Sequence, residues 1–171
     1  VAGSVEEILQ PSTPWDPVTV RETLESHAEL VARIESITAL PDRSSAGMTE
    51  EYNGFFSGEE LKICADFLMA KARLAAEAKD EADALRLTKA TLNLASHLDQ
   101  VEVPNFYIAT VALLIDLSAN ESVIAGLLPA LGRGADLAKW RDVLASRPDY
   151  TPDGLARIAR SEWNHLMDQV M

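Results

Sequence analysis

Apolar residues in this chain recur every three or four positions within successive segments between Val20 and Val170, and no run alternates every second residue with β-branched enrichment. A spacing near 3.6 gathers those side chains on one side of a helix, and such a stripe has to be buried against another helix. The pattern predicts an all-α fold, an irregular bundle of six to seven helices. Val101-Glu102-Val103 is the one stretch with strand character, and it is too short to count.

Residues 1–16 read as a lead-in, broken by Pro11 and Pro14, and residues 17–171 as a single helical domain. A first helix over 17–40 starts at the N-cap Asp16 with Pro17 in its first position. Its stripe is Val20, Leu24, Ala28, Val31, Ile34 and Ile37, with Glu22, Glu25, Glu29 and Glu35 pointing elsewhere. The 41–57 loop follows, and its Tyr52, Phe55 and Phe56 favour packing over full exposure. A second helix opens with a Ser57–Glu60 capping box and carries Leu61, Cys64, Leu68, Ala72 and Ala75. A short turn, with Asp80 as N-cap, leads into a third helix over 81–98, so the two form an antiparallel hairpin. That hairpin is weakly tetratricopeptide-like in its small Ala72 and Ala84, but it lacks the aromatic pattern and occurs once.

The fourth helix, 104–118, is apolar in nearly every direction, which predicts burial on most sides and a central place. Asn120 reads as the cap of a fifth helix, which Pro129 should kink or shorten and Gly132-Arg133-Gly134 should stop. A sixth helix covers 136–145, with Leu137, Trp140, Val143 and Leu144 inward. A seventh starts at Thr151-Pro152-Asp153 and runs through Trp163 to the end. Trp15 is placed where the lead-in meets the bundle.

The formal net charge is −12, with twelve acidic and three basic residues in the first 60 positions. Such a surface repels phosphate backbones and anionic lipid, which disfavours nucleic acid and direct membrane binding. It suits solubility and, as the sharper alternative, docking to a basic protein partner. The single cysteine, Cys64, cannot form an internal disulfide and reads as a small apolar residue on a helix face. The longest apolar stretch, 108–115, is too short to span a bilayer.

His27, His97 and His165 fall on three predicted helices. Glu162 and His165 make one Glu-x-x-His pair, where bundle di-iron sites use two such pairs and two further glutamates. Zinc-ligand spacings, a phosphate loop and a nucleophile elbow are missing from the sequence. No catalytic residue, cofactor or metal is therefore assigned, with Glu162 and His165 kept as remote metal candidates. A pocket lined by Trp140, Trp163 and Tyr150, between the fourth, sixth and seventh helices, is the candidate for a small apolar or peptide ligand.

Leu40-Pro41-Asp42-Arg43, 68–75 (Leu-Met-Ala-Lys-Ala-Arg-Leu-Ala), Ala84-Leu85-Arg86-Leu87, Leu94-Ala95-Ser96-His97-Leu98 and the apolar helix after Pro104 fall in an order and spacing that resembles a group of uncharacterised bacterial proteins. In those proteins a single N-terminal membrane segment precedes a helical extracytoplasmic domain. The resemblance covers about 25–116; relatives often carry cysteine where this chain has Arg43. It supplies no catalytic residues. It implies a periplasmic or cell-envelope location, with a membrane segment upstream of Val1, and the start on Val1-Ala2-Gly3-Ser4 fits processing or trimming. The function expected from these readings is a non-catalytic extracytoplasmic interaction or scaffold domain. Its surface would be Glu22, Glu25, Glu29 and Glu35 with Tyr52, Phe55 and Phe56.

Overall fold

The computed structural model describes residues 14–39, 58–99 and 106–145, together with Ala156, Ala159, Arg160, Trp163 and Met167. Every regular element among them is helical. In chain order these are α1 (Pro17–Ser26), α2 (Ala28–Thr38), α3 (Gly58–Glu77), α4 (Glu81–Asp99), α5 (Phe106–Ser122), α6 (Leu128–Leu131) and α7 (Leu137–Ala145). The all-α expectation holds. Ala156, Ala159, Arg160, Trp163 and Met167 are also helical.

α1 begins as its sequence dictates. Asp16 is extended and its carboxylate accepts from the Val18 amide, with Pro17 in the first turn. The expected single first helix is instead two. His27 sits between them at φ −117°, ψ 21°, outside helical geometry. Its Nδ1 hydrogen-bonds the Thr23 carbonyl and its ring tilts against Phe67, 5.2 Å between centroids. The His27 amide moves to the Leu24 carbonyl and its ring takes the Thr23 carbonyl, so the ladder is interrupted at one residue.

α3 and α4 form the expected antiparallel hairpin. Ala72, Ala76 and Ala84 are completely buried, and these small side chains let the two backbones approach closely around Leu68 and Leu87. The turn is a Schellman type: the Lys79 amide donates to the Ala76 carbonyl and the Asp80 amide to the Ala75 carbonyl. Lys79 therefore takes φ 65°, a conformation usually left to glycine. Its ammonium reaches across to the Ala130 carbonyl at the end of α6, so a side chain does there what glycine could not. Asp80 then caps α4 through the Asp83 amide at 3.0 Å.

α5 lies against both α3 and α4. It does not stop at Asn120. The Asn120 side chain turns back onto the Asp116 carbonyl inside a continuing helix, so the expected cap is an interior residue. The chain then widens into a π-helical turn, Val123–Leu127, where the Leu128 amide donates to the Val123 carbonyl five residues back. Pro129 supplies the reason. It has no amide to give the Ala125 carbonyl and its ring crowds that oxygen, so the ladder opens just upstream. The expected kink at Pro129 takes this form. Gly132, at φ 75°, ends the run.

α7 is tied down by one carboxylate. Glu81, at the start of α4, accepts from the Asp136 amide at 2.7 Å and from the Trp140 indole nitrogen at 2.9 Å. Trp140 is only 1% exposed and joins the main core with Leu87, Leu92, Val123 and Leu127. Val143 and Leu144 pack against that core, but Leu137 faces solvent, contrary to expectation. Trp15 also docks as expected: the Arg73 guanidinium lies over its ring, 4.1 Å from the centroid. A Cβ on Gly126, in the π turn, would come to 3.6 Å from the Arg73 side chain, so Arg73 runs close over that glycine.

Candidate functional site

α5 has two apolar faces, and among the described residues one is packed and the other exposed. Val111, Ala112, Ile115 and Ala119 are buried; Val111 and Ile115 cluster with Ala65, Leu94 and Ala95, and Ala119 joins the main core. Asp116 and Asn120 are buried on the same side. The opposite face is a ridge of large side chains in solvent: Tyr107 is 56% exposed, Leu114 48%, Leu117 55% and Ile124 66%, with Leu113 beside them. The expectation of burial on most sides holds for the first set and fails for the second. Scattered exposed leucines are ordinary on a protein surface; here several large apolar side chains share one side of the helix, with Thr110 and Glu121 among them.

The ridge has a definite period. Tyr107, Thr110, Leu114, Leu117 and Glu121 follow one another along α5 at intervals of three and four, all exposed, and Ile124, also exposed, comes next in the π turn. That is the seam spacing of one helix prepared for another. Residues 106–131 contain no Lys or Arg, and their two acidic residues are Asp116, buried, and Glu121, on the ridge. The helical stretch Ala109–Gly134 is long and apolar enough to cross a membrane by length and composition, and half of its most apolar window is buried in this fold. Such a stretch is also what the core helix of a soluble bundle looks like. It is longer than the sequence reading allowed because Asn120 does not interrupt it.

The acidic residues expected to form the interaction surface divide. Glu22, Glu25 and Glu29 are exposed on α1 and α2. Glu35 is not part of that face. It is half-buried, with its two carboxylate oxygens on the Lys71 ammonium of α3 and the Arg86 guanidinium of α4, the latter at 2.8 Å. Arg86 in turn holds Asp83 at 2.7 Å. Burial pushes the Glu35 carboxyl up, but its two cations outweigh that and hold it below the usual range. The signal was in the sequence: Val31, Ile34, Glu35 and Thr38 share one three–four series, so Glu35 rides on the inward face and only its partners keep it charged.

The remaining expectations fall as follows. Tyr52, Phe55 and Phe56, and the metal candidates Glu162 and His165, lie outside the described residues, as does Tyr150. Among the described residues no three His, Cys, Asp or Glu side chains group to hold a metal ion. The expected ligand pocket loses two of its walls: Trp140 is closed into the core on Glu81, and Trp163, expected near the core, is 64% exposed. Cys64 is half-buried; burial, and then the charge of Glu60, push its thiol above the ordinary value, the reverse of what a nucleophile needs. Asp66 is buried beside Lys62, 2.7 Å away, and burial raises its carboxyl in spite of that partner.

Comparison with protein-family models, with curated proteins and with solved structures returns no match for this chain.

Proposed function

We propose that this chain is a non-catalytic helical interaction domain and that it works through the exposed ridge of α5. The observation that carries the reading is the ridge itself: a three–four series from Tyr107 to Ile124 left in solvent on a helix whose other face is closely packed. A helix face of this kind lowers its free energy by covering itself with another apolar surface. Glu22, Glu25 and Glu29 add a separate acidic rim on α1 and α2. A place at the cell envelope rests on the resemblance of 25–116 to domains that follow an N-terminal membrane segment. In that setting a small helical body would serve as a docking module.

The test is site-specific photocrosslinking in the native cell. A benzophenone side chain at Leu117 should give a protein adduct, and the same group at exposed Lys89 on α4 should not. Equal labelling from both positions, or none from any ridge position, would remove the reading.

A further inference from the structure

We draw no further inference here: the strongest candidate, the apolar surface patch on the exposed side of α5, belongs to the site already described, and nothing in the structure shows what covers it.

Discussion

The two faces of α5 use nearly the same amino acids for different ends. On the inner face, small Ala112 and Ala119 alternate with Val111 and Ile115, so that α3 and α4 approach closely. On the outer face the side chains are large: Leu113, Leu114, Leu117 and Ile124 stand clear of the bundle. Hydropathy alone makes the helix uniform. Residue size separates its sides, because small residues mark where backbones meet and bulky ones mark a surface still to be covered. The inner face also holds the buried polar pair Asp116 and Asn120, while the outer face has Glu121, whose charge needs water or a polar neighbour.

The largest contrast should come from matched truncations. Ile115→Ala removes packing from the core between α3, α4 and α5 and should cost about 2–5 kcal/mol in denaturant unfolding. Leu117→Ala, one helical step away, should lie within about 0.5 kcal/mol of the parent. A similar loss from both would mean that the outer face is covered within the fold.

The acidic residues allow a second contrast of intermediate size. Glu35→Gln leaves Lys71 and Arg86 without their shared carboxylate and should destabilise by about 1 kcal/mol, since both cations are partly in water. The triple variant of Glu22, Glu25 and Glu29 to Gln should change stability by less than about 0.5 kcal/mol. The pH dependence follows from the lowered Glu35 carboxyl. Its contribution is complete above the ordinary carboxylate range and is lost as pH falls through its folded value, so the parent should lose its advantage over Glu35→Gln only in acid. Asp66 runs the other way. Its raised carboxyl costs stability when charged, so Asp66→Asn should compare better with the parent at neutral pH than at acid pH, where the parent Asp66 is already protonated.

The smallest effect concerns Cys64. Its raised thiol should react with a disulfide reagent at neutral pH several-fold more slowly than an unfolded reference.

Much of the scaffold was legible because local rules and packing agree. Asp16 and Asp80 cap the helices they were expected to cap, and the 58–77 and 81–99 stripes meet in the hairpin their short turn requires. Trp140 is in the core. The departures have one cause in common: a side chain doing work that backbone rules assign elsewhere. His27 breaks a helix with no glycine or proline to announce it. Asn120 bonds back to Asp116 and continues a helix it was expected to start. Lys79 occupies a glycine conformation while bridging to Ala130. Glu35 follows the inward series and is kept there by cations from two other helices, 36 and 51 residues away. None of these partners is visible in one dimension. The exposed side of α5 is not legible for a different reason: periodicity shows that a helix is apolar all round, but not which sides its neighbours cover. Leu137 and Trp163 are exposed apolar side chains of the same kind.

The most direct test of the two-faced helix is a pair of charge insertions read by circular dichroism and thermal unfolding at low protein concentration. Leu117→Asp should keep the parent's helical signal and a thermal midpoint within a few degrees, while Ile115→Asp should abolish the cooperative transition, because an aspartate there has no water and no partner. Loss of the fold in Leu117→Asp, or its retention in Ile115→Asp, would contradict the assignment of the two faces.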